Sequence, residues 1–358
     1  MKATAKLQAL GQSLWLDNIT REMLDSGQLQ RYIDQCSITG LTSNPSIFDK
    51  AIKSGAYDEE IRQKAADAAD RETLFFELAI EDLRRAADLF APIHQRTAGV
   101  DGWVSLEVSP LLAYDTARSV RAAADLHARA GRENVFIKIP GTEQGLPAIE
   151  EATFAGVPVN ITLLFSREQY LTSADAYMRG IERRIDAGLD PNVSSVASVF
   201  ISRWDAAVIG HVPEQLRGRL GLAVGLKTYQ AYRRLMNSDR WQRLANAGAR
   251  VQRLLWASTS TKDPNSPDTM YIDGLRAPHT INTMPESTLR AFEDHGRVGD
   301  PIAVDGGDAD ATLAQFASTG IDVDALAATL QSDGARNFVK SWADLLKRID
   351  DQVAVVAA

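Results

Sequence analysis

The sequence predicts an α/β fold, a single (β/α)8 barrel of the TIM type with additional terminal helices and a long loop after strand seven. Three observations carry that expectation. Eight short apolar runs alternate with long amphipathic stretches, the pattern of parallel βα units. The chain has 358 residues, so a prior of about 150 residues per domain leaves one or two domains open, while barrels run past about 250 residues as one unit. Five of the runs carry polar side chains on one parity only, as strands converging on a shared mouth would.

The candidate strands are Leu14–Asp17, Gly40–Thr42, Trp103–Val108, Val135–Ile139, Val157–Leu163, Val196–Phe200, Leu254–Ala257 and Thr280–Thr283, the second and eighth having the weakest pattern. Between and after them, Arg71–Phe90, Leu111–Ala130, Arg167–Ala187, Leu222–Ala247 and Thr329–Ile349 repeat apolar residues every three to four positions, which predicts helices. Ser166 stands where an N-cap belongs, with Glu168 in the first turn after it. No repeat of 33–47 residues and no Gly/Ser or Pro linker interrupts the order, so residues 1–358 read as one barrel domain. The one long polar segment, Ser258–Pro278, falls between strands seven and eight, where the barrel rule puts it on the active face. The amphipathic Asn337–Val355 segment is expected to pack on the barrel mouth or wall, or to meet a partner subunit.

Composition narrows the function. A net charge of −8 argues against a broad nucleic-acid face but leaves room for a small basic pocket holding an anionic metabolite. Cys36 is the only cysteine, which excludes an intrachain disulfide and a cysteine-based metal site. The five histidines show no metal-binding spacing, so neither metal nor cofactor is expected. The N-terminus lacks the apolar run of a signal peptide and no 18-residue apolar stretch exists, which predicts a cytoplasmic protein without a membrane partner.

Alternation along the strands sorts the side chains. Leu14 and Leu16 oppose Asp17; Val104, Leu106 and Val108 oppose Ser105 and Glu107; Val135, Ile137 and Ile139 oppose Lys138. Val157, Val159, Ile161 and Leu163 oppose Asn160 and Thr162; Ala197 and Val199 oppose Ser198. Interior barrel layers are ordinarily branched and apolar, and a buried charge is costly unless paired. One acid at a strand end reads as a helix cap, and one lysine there as a snorkelling side chain. A convergent amine, two carboxylates and several neutral hydrogen-bonders suit covalent amine catalysis on a carbonyl instead. Lys138 would form the Schiff base, burial favouring its neutral amine. Asp17 and Glu107 fit two roles, proton shuttles or charge partners of Lys138.

GLTSNPSIF (Gly40–Phe48), VSLEVSP (Val104–Pro110), VFIKIPGTEQGLPAI (Val135–Ile149), VNITLLFS (Val159–Ser166) and SVFISRWD (Ser198–Asp205) resemble the corresponding segments of transaldolases. The resemblance runs from the LWLD strand to Trp256–Thr259 and is nearest to the larger, actinobacterial type of bacterial transaldolase. It implies a metal-free class I aldolase barrel with the Schiff-base lysine on the fourth strand, where Lys138 lies. By the same resemblance Asp17 would move the C4 hydroxyl proton, and Glu107 with Thr162 would hold a proton-shuttling water. Thr42, Asn44, Asn160 and Ser198 would bind the hydroxyls of a dihydroxyacetone unit, Ser105 would help place the lysine, and Phe200 would pack near the sugar chain.

Arg203 would bind the sugar phosphate; without the resemblance it reads equally as a surface arginine at a helix start. The better-known branch has a second phosphate arginine after strand seven, where this chain has Ser260; Lys262 is the candidate replacement, and Arg276 and His279 are weaker ones. The implied function is transfer of dihydroxyacetone from sedoheptulose 7-phosphate to glyceraldehyde 3-phosphate in the pentose phosphate pathway. Sugar phosphates are the expected partners of a monomer or homodimer. The alternatives are a fructose-6-phosphate-type aldolase that releases dihydroxyacetone, and a barrel that only binds sugar phosphates.

Overall fold

Eight parallel strands close into a barrel in sequence order in the computed structural model, which describes residues 2–65 and 68–357. They are β1 (Ser13–Asp17), β2 (Ile38–Thr42), β3 (Val104–Glu107), β4 (Val135–Pro140), β5 (Val159–Leu164), β6 (Ser195–Phe200), β7 (Gln252–Ala257) and β8 (Ile281–Met284). Each expected run is a strand, shifted by a few residues at its ends. β2, short as an apolar run, extends back to Ile38 and is buried throughout.

Alternation places the layers. Leu14, Leu16, Val104, Leu106, Ile137, Ile161 and Val199 join the core between strands and helices. Trp15, Phe136, Val196, Leu255 and Ile281 belong to a second apolar cluster that fills the barrel interior. The floor beneath is polar. Asp101 accepts hydrogen bonds from Ser13 Oγ, from Trp15 Nε1 at 2.8 Å and from Thr39 Oγ1 at 2.8 Å. Arg253 Nη2 donates to Ser13 Oγ at 2.7 Å on the same floor. Gly40 on β2 lies against Trp15, and a β-carbon there would stand 2.6 Å from Trp103 O and 2.7 Å from Trp15 Cε2.

Three expectations need correction. Leu163 does not share the helix-facing parity of Val159 and Ile161: the register with β6 shifts between Ile161 and Leu164, and Leu163 has φ 60°. This bulge turns it into the interior cluster, beside Gly334 of the C-terminal helix. The Leu222–Ala247 periodicity covers two helices, Leu220–Met236 and Asp239–Asn246, because Ser238 caps the second by accepting from Trp241 N. The Leu111–Ala130 helix begins at Thr116, where Asp115 accepts from Arg118 N; Pro110–Leu112 forms a short 3-10 turn before it. Ser166 caps Arg167–Asp186 as expected, in a reciprocal box with Gln169.

The final helix, Val323–Ala357, is longer than its periodic core suggests. Trp342 packs edge-on against Phe75 of the Arg71–Arg96 helix, with ring centroids 5.0 Å apart, and so holds the C-terminal helix to the barrel wall. Among the described residues, no helix is long and apolar enough to cross a membrane.

Candidate active site

The inward polar residues meet at the C-terminal ends of the strands. Glu107 and Lys138 are register partners on β3 and β4. Lys138 Nζ donates to Glu107 Oε2 at 3.1 Å and to Ser43 O at 3.0 Å, and both side chains are almost wholly buried. The turn after β4 is pinned: Gly141 N donates to Thr162 O at 2.8 Å, and Gly145 N donates to Thr142 O at 2.9 Å. The lysine therefore stands on a rigid strand with a rigid exit.

Asp17 ends β1 and accepts from Thr42 Oγ1 at 2.7 Å; Thr42 Oγ1 in turn accepts from Thr283 Oγ1 at 2.8 Å. Burial lifts the Asp17 carboxyl above the ordinary carboxylate range, against the downward pull of Lys138, Thr42 and Lys262. Burial lifts Glu107 too, with Lys138 opposing it and the Asp17 charge adding to it. One cation thus faces two carboxyls, each poised to hold a proton more tightly than in water.

Beside this pair, Ser198 Oγ donates to Asn160 Oδ1 at 2.7 Å and Asn160 Nδ2 donates to Ser105 Oγ at 3.1 Å, a chain crossing β6, β5 and β3. Two buried oxygens, Glu107 Oε1 and Thr162 Oγ1, have no hydrogen-bond partner among the described residues. A buried oxygen without a partner is costly, so both are set to receive one. Asn44 is half-buried; its Oδ1 caps the Pro45–Lys53 helix by accepting from Ile47 N at 3.2 Å. Its amide nitrogen is left for another contact.

The cationic side of the mouth forms around β6 and the loop after β7. The Arg203 guanidinium lies 5.5 Å over the Phe200 ring, and Phe200 also packs against Phe165 at 5.3 Å and Phe338 at 6.5 Å. Burial draws the Arg203 guanidinium's affinity for its proton down. Lys262 donates to Ser260 Oγ at 2.8 Å. Its ammonium is shifted down by burial and by the Arg203 charge, and up by Asp17, so the fold brings all three charges into one field. Arg276 and His279 are not in the mouth. The segment after β7 descends the barrel wall to start β8, and Arg276 Nε donates to Asp300 O while His279 N donates to Gly11 O below the strands.

Sequence reasoning passed over four residues here. Ser43 contributes only a carbonyl, which no side-chain pattern reveals. Thr283 has the inward parity of a strand whose pattern was too short to sort. Gln331 Nε2 donates to Gly141 O and Leu163 O, both at 3.0 Å, and Phe338 closes over Phe200; both come from the distant C-terminal helix.

The arrangement provides an amine next to an acid, a second acid across the mouth, neutral hydrogen-bonders beside them and two cations at the rim. A family model described as Transaldolase/Fructose-6-phosphate aldolase matches residues 14–349. The chain is also similar to proteins named transaldolase from Parafrankia sp. (strain EAN1pec), Thermobifida fusca (strain YX) and Mycobacterium tuberculosis (strain CDC 1551 / Oshkosh). The identities are 43%, 44% and 43%, over 100%, 98% and 96% of this chain and 100%, 98% and 95% of theirs.

Proposed function

This chain belongs to the transaldolase/fructose-6-phosphate aldolase family and is a transferase of the transaldolase type; on that premise we propose that Lys138 carries a dihydroxyacetone unit as a Schiff base from sedoheptulose 7-phosphate to glyceraldehyde 3-phosphate. The observation that carries the reading is the buried Lys138 Nζ between Glu107 and Ser43 O, with Asp17 close enough for its charge to act on both. End-to-end similarity to proteins named transaldolase favours transfer over release of dihydroxyacetone.

The steps follow from the residues. A proton leaves Nζ for Glu107, whose buried carboxyl takes it readily, and the free amine attacks the ketone carbon to give a carbinolamine. A water held between Glu107 Oε1 and Thr162 Oγ1 relays the proton that expels hydroxide as water, leaving an iminium. Asp17 accepts the C4 hydroxyl proton, the C3–C4 bond breaks, and its electron pair moves into the iminium to give an enamine. The first aldehyde departs. The enamine carbon then adds to the acceptor aldehyde, Asp17 returns its proton, and hydrolysis frees Lys138. Thr42, Asn44, Asn160, Ser198 and Ser105 hold the enamine hydroxyls and the lysine in place, which keeps the fragment bound until the acceptor arrives. Phe200 lines the sugar chain, and Arg203 with Lys262 binds the phosphate, locally offsetting the chain's net charge of −8. We place this chemistry in the cytoplasm, in the non-oxidative pentose phosphate pathway, in one domain working as a monomer or homodimer.

Borohydride reduction in the presence of fructose 6-phosphate should leave a dihydroxyacetone-derived mass on the peptide containing Lys138. Absence of that adduct removes the Schiff-base proposal. Asp17→Ala should still form the adduct while losing bond cleavage; normal turnover in that variant excludes Asp17 as the base. Free dihydroxyacetone, measured with and without glyceraldehyde 3-phosphate, separates transfer from simple cleavage.

A further inference from the structure

A cavity of about 590 Å³ opens at the opposite end of the barrel, under the N-terminal ends of the strands. Its size is that of a small-molecule site, in the range of roughly 300–1,000 Å³. Trp103, Tyr232 and Trp241, each at most 4% exposed, back its apolar wall, and Arg233, Arg250 and Arg253 contribute charge; among the described residues no aspartate or glutamate lines it. In a chain whose acids outnumber its bases, 47 to 39, three arginines without a lining acid are a concentrated exception.

The arginines are only partly engaged. Neither Arg233 nor Arg250 has a carboxylate within ion-pair distance among the described residues; Arg233 Nη1 donates to Tyr229 OH at 3.1 Å and Arg250 Nε donates to Asn192 Oδ1 at 2.6 Å. Arg253 lies 3.9 Å from Asp101 and is held by Ser13 Oγ and Thr280 O. Neutral partners orient Arg233 and Arg250 without neutralising them, which leaves their forked donors for an oxyanion, while Arg253 shares its charge with Asp101 behind them. The reacting residues lie at the other end of the strands, so the site is separate from the sugar-phosphate mouth.

We propose that this cavity is a second binding site, for a small organic anion with a flat apolar body. The ring of the ligand lies along the Trp103, Tyr232 and Trp241 walls, and its phosphate or carboxylate lies among Arg233, Arg250 and Arg253. The apolar wall that these rings back favours a slim apolar body, and the arginines favour an anion over a neutral or cationic ligand.

The test is calorimetric titration of the full-length protein with adenosine 5′-phosphate and, separately, salicylate, which represent the phosphate and carboxylate sources. At least one should bind one-to-one with a dissociation constant below about 1 mM, and adenosine or inorganic phosphate alone at least about tenfold more weakly. Fructose 6-phosphate should not compete. The double variant Arg233→Glu with Arg250→Glu should weaken binding at least about tenfold while sugar-phosphate turnover stays unchanged. Should that variant fail to fold, Val251→Trp, which places bulk at the exposed lip of the cavity, replaces it, with the same loss of binding expected. Failure of both probes to bind, binding intact in the folded variant, or competition by fructose 6-phosphate each overturns the proposal.

Discussion

Replacing Gly40 by alanine tests how the barrel floor supports the mouth. The added carbon would meet Trp103 O at 2.6 Å and Trp15 Cε2 at 2.7 Å, where ordinary contact begins at 3.4 Å, so about 0.8 Å of movement is required. Neither neighbour yields easily. Trp103 O accepts from Leu41 N at 2.9 Å, and Trp15 is fixed by its 2.8 Å bond to Asp101. Overpacking of this kind costs about 1–3 kcal/mol, and a strained ladder bond adds about 1 kcal/mol. Reduced freedom of the unfolded chain returns about 0.4–1 kcal/mol. A net loss of about 2–3 kcal/mol should lower the melting temperature by roughly 3–4 °C. The displacement also travels along β1 and β2 to Asp17 and Thr42, two residues beyond Trp15 and Gly40. Misplacement approaching 1 Å at reacting groups costs up to about 10²-fold, so kcat should fall at least about tenfold. Gly210→Ala is the control: that exposed glycine has no atom within 4 Å of an added carbon, and its variant should stay within about 0.5 kcal/mol of the parent. Calorimetric melting and steady-state turnover of both variants provide the comparison. If Gly40→Ala melts and turns over like Gly210→Ala, the account of a rigid floor under the site is wrong.

Thr42→Val removes a hydrogen bond that pulls the Asp17 carboxyl down, so its affinity for a proton should rise further. As the proposed base, Asp17 would have to be ionised to accept the C4 proton, so the acid limb of the kcat–pH profile should move to higher pH; an unmoved or lowered limb refutes the assignment. Arg203→Ala should raise KM for sugar phosphates by more than about tenfold and leave that for unphosphorylated fructose little changed, whereas equal losses on both substrates would deny it a phosphate role. Lys262→Met should do the same more weakly. Gln331→Leu strips a donor from the carbonyls of Gly141 and Leu163, which should cost about 1–3 kcal/mol in chemical denaturation, and a variant as stable as the parent would show those bonds to be incidental.

The strand pattern was legible because parallel barrel strands are short, apolar and regularly spaced, and because alternation exposes any polar residue facing the axis. Lys138, Glu107 and Asp17 stood out on that ground alone. Leu163 did not follow the rule, since a bulge costs one residue of register and leaves no compositional mark. The break at Ser238 was hidden because both helices it separates keep the same apolar period. Ser43, Gln331 and Phe338 were unreadable for a different reason: a carbonyl has no identity in a sequence, and the other two reach the mouth across about 140–190 residues of chain.

The last strand of the barrel ends at Met284, yet Gln331 and Phe338 cover the mouth from a helix that starts at Val323. On the ribosome all eight strands are therefore made before the residues that finish the pocket. Synthesis runs at roughly 5–20 residues per second, so the barrel has a few seconds in which its walls exist without their cover. A message truncated between these two points would encode every proposed reacting group and still leave Phe200 without Phe338 over it. Completeness of translation is thus built into the site as a condition of its assembly.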